Sequence, residues 1–198
     1  MMYLSGKYTD NPDIGSLRTF NGWSRRDLPG VWAADNGCFN QPDKYTDEGY
    51  LSWLARFDTS DCLFATAPDV VADAEGTRHR AYPLMPCIRQ LGYRAAFVVQ
   101  DGETPERVHW DELDAIFIGG STEWKLSQHA ATLASAAKQR GKWVHMGRVN
   151  SYRRMRLAAA IGCDSVDGTF LAFGPDKNER QLVGWLHSLH QQPLLELF

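Results

Sequence analysis

A parallel (β/α)8 TIM barrel, compact or trimmed, is the fold this 198-residue sequence predicts, and three observations predict it. Short apolar runs, most of four to six residues, alternate with longer segments of helical character, the pattern of strands buried on both faces with crossover helices between them. Nearly every apolar run ends in a polar or glycine-containing tip. Those tips number six, which suits a barrel whose strand C-termini all open on one mouth. An open doubly wound sheet would gather its chemistry at a single switch point instead.

Taken in order, the expected strands cover residues 2–4, 31–34, 62–66, 95–99, 115–118, 143–145 and 165–166 with its flanks. Expected helices cover residues 47–56, 74–91, 122–140, 151–161 and 177–190. Ser121 or Thr122 is placed to cap the third helix, and Gly141 stops it after a basic turn. That makes seven strands. The eighth is expected within Phe170–Phe173, unless the barrel is short of one.

Composition bounds the rest. With 43% apolar and 23% charged residues the chain has material for one core, so residues 1–198 read as a single domain. Net charge −3 excludes a strongly basic non-specific nucleic-acid binder, though not a local basic patch. No run reaches the ~18 apolar residues of a membrane span, and the opening residues do not read as a signal peptide. Cys38, Cys62, Cys87 and Cys163 are scattered without a CxxC pair, which argues against structural zinc and disulfide scaffolds and for a reducing cytoplasm.

The tips are Asp35-Asn36-Gly37, Ala67-Pro68-Asp69, Gln100-Asp101-Gly102, Gly119-Gly120-Ser121, Met146-Gly147-Arg148 and Asp167-Gly168-Thr169. Asp35 and Asp167 place two carboxylates at the expected mouth. Such a pair breaks glycosidic bonds, one attacking or stabilising the anomeric carbon while the other moves protons. Asp-Asn-Gly and Asp-Gly are also ordinary turn sequences, so the pair alone does not decide the matter.

Read together, Asp35-Asn36-Gly37-Cys38-Phe39, Pro68-Asp69, Val99-Gln100, Ile118-Gly119-Gly120, His145-Met146-Gly147 and Gly162-Cys163-Asp164-Ser165-Val166-Asp167 resemble the tRNA-guanine transglycosylase superfamily. The resemblance runs from about Val31 to Thr169. It implies that Asp167 is a covalent nucleophile and Asp35 the general acid/base. It puts Phe39 as an aromatic lid opposite Met146, with a purine-sized ring between them. Asp69 and Gln100 would then read the base edge, helped by backbone amides at Gly119 and Gly120. Asp164 would be a supporting residue, or the nucleophile itself if the register slips. The chemistry is coherent, because a carboxylate accepts from N1–H and the exocyclic amine of guanine, and glycine lets the backbone approach a ring.

The tail after Asp167 contains no cysteine, whereas the transfer-RNA enzymes carry a C-terminal zinc site and are much longer. The chain therefore looks more like the short deazapurine DNA transglycosylases of phages and bacterial DNA-modification clusters. That resemblance implies exchange of guanine in DNA for a 7-deazaguanine (preQ0-like) base, with no cofactor and no metal. The expected partners are DNA, with RNA as the alternative, and the free 7-deazaguanine base. Accessory proteins or a homodimer remain open, and no membrane is expected.

Phosphate contacts are expected from Arg148, Arg153 and Arg154, at a tip and the helix start behind it. Arg25-Arg26 and Arg78-His79-Arg80 are secondary candidates. Three other readings stay open at this stage. They are a tRNA-guanine transglycosylase acting on RNA, a retaining glycoside hydrolase using Asp35 and Asp167, and an inactive barrel that binds modified DNA. A sugar site would call for several Trp or Tyr platforms; an inactive barrel could dispense with Asp167.

Overall fold

The computed structural model describes residues 1–22 and 29–191. Trp23, Arg25 and Arg26 lie outside the described residues.

Eight parallel strands close on themselves in sequence order: β1 Met2–Ser5, β2 Ile14–Thr19, β3 Trp32–Asp35, β4 Cys62–Thr66, β5 Ala95–Val99, β6 Ala115–Ile118, β7 Trp143–Met146 and β8 Ser165–Gly168. The ring is completed where β8 pairs with β1, Leu4 lying opposite Asp167. This is the expected (β/α)8 barrel. The eighth strand, however, is β2 and not Phe170–Phe173, which forms a 3-10 turn. Ile-Gly-Ser-Leu-Arg-Thr has no apolar run because Arg18 fills an outward position that an aliphatic residue would usually take. Its guanidinium lies 4.2 Å from the ring centroid of Trp32 and 5.3 Å from that of Phe57. A planar cation on aromatic faces is buried at little cost, its stem packing as hydrocarbon.

Helices follow the strands unevenly: α1 Asp47–Leu54, α2 Ala74–Gln90, α3 Thr122–Lys125, α4 Gln128–Gln139, α5 Tyr152–Ala160 and α6 Pro175–Gln191. Among the described residues, the connections after β1, β2 and β5 hold no α-helix. That economy fits eight strands into 198 residues where about 250 is typical.

The segment expected as one helix over 122–140 is two. Ser121 Oγ accepts from Trp124 N to start α3, and Ser127 Oγ accepts from His129 N to start α4. The break at Leu126 leaves Lys125 buried (1% exposed) instead of on a solvated face.

Strand alternation sorts the side chains into two layers. Leu4, Ala33, Phe64, Ala96 and Ala115 pack inside the barrel, and a larger cluster including Val144, Met146 and Val166 lies between sheet and helices. The cavity described next opens above this layer, where Leu17, Asp35, Thr66, Val98, Phe117 and Asp167 point inward.

Candidate active site at the barrel mouth

A cavity of about 310 Å³ opens at the C-terminal ends of the strands, near the lower bound of ~300 Å³ for small-molecule sites. All eight strand ends contribute to its wall, from Gly6 after β1 to Asp167 and Gly168 on β8 and Thr169 just beyond it. Of the residues expected at the site, Asp35, Phe39, Asp69, Gln100, Gly119, Gly120, Arg148 and Asp167 all line it.

Asp167 projects inward from β8 with its carboxylate held from two sides. Oδ1 accepts from the backbone N–H of Arg148 at 3.1 Å, and Oδ2 lies 2.9 Å from His145 Nε2. Arg148 has φ +60, the left-handed region that side chains rarely enter, and this conformation directs its N–H at Asp167. Gly147 makes the turn possible. A Cβ there would stand 2.7 Å from the Phe117 ring and 3.3 Å from Asp167 Oδ2.

Behind Asp167 runs a buried polar chain. Trp143 Nε1 donates to Ser165 Oγ at 2.9 Å, and Ser165 Oγ sits 2.8 Å from His145 Nδ1. An indole N–H only donates, so a neutral imidazole completes the chain when the Ser165 hydroxyl donates to Nδ1 and Nε2–H donates to Asp167. Asp167 is thereby oriented as an acceptor with its remaining lone pairs toward the cavity. Replacing His145 with phenylalanine suits its aromatic surroundings, with Phe117 and Phe64 rings 4.5 and 5.1 Å away by centroid. The variant removes a hydrogen bond to a charged group worth about 1.5–3 kcal/mol, and the folded state is expected to lose roughly that much stability. Denaturant melts at fixed pH check it.

Asp35 is half-buried at the end of β3. Burial is the main cause that pushes its carboxyl up to about 7, followed by the negative charges of Asp167 and Asp69, while hydrogen bonds from the Thr19 side chain and Gly37 backbone hold it back. A carboxylic acid titrating near neutrality is suited to give and take a proton at working pH. The turn after it requires glycine. Gly37 has φ +76, and a Cβ would stand 2.5 Å from the Phe20 carbonyl oxygen.

Asp69 is buried, with one donor on each oxygen. Asn36 Nδ2 donates to Oδ1 at 2.9 Å and Gln100 Nε2 to Oδ2 at 2.7 Å. Burial raises its pKa, and these two amides act against that rise. Gln100 is committed at both ends, its Oε1 accepting from Ala72 N at 3.0 Å. Its main role is thus to orient Asp69, leaving a single amide hydrogen for any ligand. The Gly119 N–H is likewise engaged, donating to the Val99 carbonyl along the sheet, so Gly119 contributes close approach and not a free amide.

Two expected placements are corrected. Met146 is fully buried in the layer between sheet and helices and does not line the cavity. Strand parity is the reason: in Trp-Val-His-Met the inward residues are Trp143 and His145. The group opposite the exposed Phe39 is instead Arg148, whose guanidinium carbon lies 4.9 Å from the Phe39 ring centroid and whose Nη2 donates to the Gly120 carbonyl. Asp164, three residues before Asp167, sits at the other end of the barrel. There it binds Lys138 Nζ at 2.6 Å and accepts from Val144 N at 2.8 Å, supporting the barrel floor and not the site.

The basic residues separate. Arg153 is exposed on the first turn of α5, and Arg154 Nη1 donates to the Arg148 carbonyl at 3.4 Å. Arg78 is paired with buried Glu103 at 2.8 Å, and Arg80 donates to the Asp69 carbonyl at 3.0 Å, so both brace the structure. Asn36, His145 and Lys125 are site residues to which the sequence reading assigned no role. Asn36 and His145 stood inside recognised tips, whereas Lys125 in a helical segment gave no signal.

Among the described residues no helix is long and apolar enough to cross a membrane. No family model matches the chain, and no curated protein matches it. Among solved structures it aligns with the Bacillus subtilis YkuI protein, which has an EAL domain and was determined with substrate c-di-GMP and calcium. The TM-score is 0.45 at 15% identity, over 85% of this chain and 45% of that one. The chain thus spans less than half the length of that protein, and a likeness this distant carries no argument about activity.

Proposed function

We propose that this barrel is a base-exchange transglycosylase that replaces guanine in DNA with a 7-deazaguanine, through a glycosyl ester on Asp167. The observation that carries the reading is the division of labour among three carboxylates in one cavity. Asp167 is oriented by two donors, Asp35 titrates near neutrality, and Asp69 is framed by amides.

In the proposed reaction an Asp167 oxygen attacks C1′ of an unstacked deoxyguanosine as the C1′–N9 bond breaks. Asp35 gives its proton to the departing base, so guanine leaves neutral. A 7-deazaguanine then enters, passes its N9 proton to Asp35 and attacks C1′ through N9, and the ester bond returns its electrons to Asp167. Asp69 accepts from N1–H and the exocyclic amine through the lone pairs that Asn36 and Gln100 leave free, and adenine, with no N1–H and no 2-amine, would bury those lone pairs unpaired. The glycoside-hydrolase reading gains no support from the wall, since no Trp or Tyr lines the cavity among the described residues.

The test is incubation of guanine-containing DNA with labelled guanine and no cofactor, with a parallel transfer-RNA arm. Label entering DNA supports the reading, label entering only RNA changes the substrate, and label entering neither removes the activity. For the phosphate contact, Arg153→Ala is expected to weaken DNA binding and to reduce the slope of log affinity against log salt by about one. Titrations at three or more salt concentrations measure it, and an unchanged slope would remove Arg153 from the interface.

A further inference from the structure

The exchange reaction leaves one buried cation at the site without a role. Lys125 ends α3, is 1% exposed and still forms part of the cavity wall. Its ammonium donates to the Gly147 carbonyl at 2.9 Å, and among the described residues no ion pair includes it. An ammonium has three donors, and a buried charge is costly unless paired and hydrogen-bonded. Burial lowers its pKa to about 8, with the charge of Arg148 adding to the effect and that of Asp167 opposing it. The group is therefore cationic at neutral pH and short of acceptors.

Its place around the mouth says which part of a ligand would meet it. Asp69 and Gln100 stand at the ends of β4 and β5, Asp167 at β8 and Asp35 at β3. A base that directs N1–H and its amine to Asp69 and N9 to Asp167 must also offer its N9 side to Asp35 for proton transfer. That sets the N3 edge along the β1–β3 arc. The opposite edge, O6 and position 7, then faces the β6–β7 arc, where Gly119, Gly147 and Lys125 form the wall. A rim phosphate would meet Arg148 first, because its side chain bridges Gly120 and Phe39 at the opening. Only a group inside the base cavity reaches Lys125.

We propose that Lys125 selects the incoming base by its 7-substituent, favouring an acceptor or anionic group such as a nitrile, carboxamide or carboxylate and rejecting a cationic aminomethyl. This rests on the exchange reading and sharpens its substrate class. A nitrile nitrogen or carboxyl oxygen would take a donor that the protein leaves unused, while an ammonium on the base would place two like charges together in a buried site.

The experiment measures equilibrium binding of 7-cyano-7-deazaguanine and 7-aminomethyl-7-deazaguanine to the full chain, with exchange of labelled guanine into DNA assayed separately. Wild type is expected to bind the cyano base at least about tenfold more tightly. In Lys125→Met the two affinities should come within about threefold, and Lys125→Glu should reverse their order. Equal or tighter binding of the aminomethyl base by wild type overturns the inference, whether or not the variants fold. An unchanged preference in folded Lys125→Met also overturns it. If neither base binds while guanine is exchanged, the inference fails and the activity stands; absence of both binding and exchange overturns both.

Discussion

Asp167→Asn is expected to abolish base exchange, lowering kcat by roughly four orders of magnitude or more, the scale seen when a covalent nucleophile is removed. An amide of the same shape still accepts at one atom but cannot form or release a glycosyl ester. Its NH2 must face either the Nε2–H of His145 or the backbone N–H of Arg148, so one of the two hydrogen bonds that hold Asp167 is lost or the Trp143–Ser165–His145 chain reorganises. DNA binding should persist, because Arg148 and Arg153 are untouched. Parallel exchange and electrophoretic binding assays would separate the two, and exchange by Asp167→Asn within tenfold of wild type would reject the nucleophile.

Asp35→Asn should have the second largest effect, with kcat falling about 10²–10⁴-fold, the range for a positioned acid/base group. In wild type, kcat/KM for the nucleic acid should decline above pH 7, where Asp35 loses the proton the departing base needs. The variant should lose that limb. Stability moves with a definite sign. Folded Asp35 keeps its proton up to about 7, while the unfolded chain releases it near the ordinary value of 3.8. Between these values the folded state binds more protons, so this group's contribution to stability is full below the lower value. It is lost as pH rises through the upper one. Asn does not titrate, so Asp35→Asn should gain relative to wild type from pH 4 to pH 7 and hold the gain above. At about 1.4 kcal/mol per pH unit between these two values, the gain is roughly 4 kcal/mol. Thermal melts at pH 4 and pH 8 read it directly.

The strands that are continuous apolar runs were legible in the sequence, and so were the tips that follow them, because a fully buried parallel strand leaves its signature in composition alone. Asp35, Asp69 and Asp167 could be placed for that reason. β2 could not, since Arg18 on Trp32 does the work of an aliphatic residue and breaks the pattern. Met146 was misplaced by one position of parity. In a four-residue strand nothing in the composition says whether histidine or methionine faces inward, and the buried histidine is satisfied only by partners on the neighbouring strand, Ser165 and Asp167. Asp164 and Asp167 lie three residues apart, yet one strand length carries them to opposite ends of the barrel. Lys125 was invisible because its burial depends on the short break between α3 and α4, where the same residue on an unbroken helix would read as solvated.

A covalent bond between deoxyribose C1′ and Asp167 distinguishes the proposed exchange from every other reading of this cavity. Its most direct measurement is denaturing quench of the enzyme with guanine-containing DNA before any deazapurine is added, followed by proteolysis and mass spectrometry. A deoxyribose-linked adduct is expected on the peptide carrying Asp167, absent from Asp167→Asn and discharged when free base is supplied. An adduct on another residue, or guanine exchange by wild type with no adduct at any time point, would contradict it.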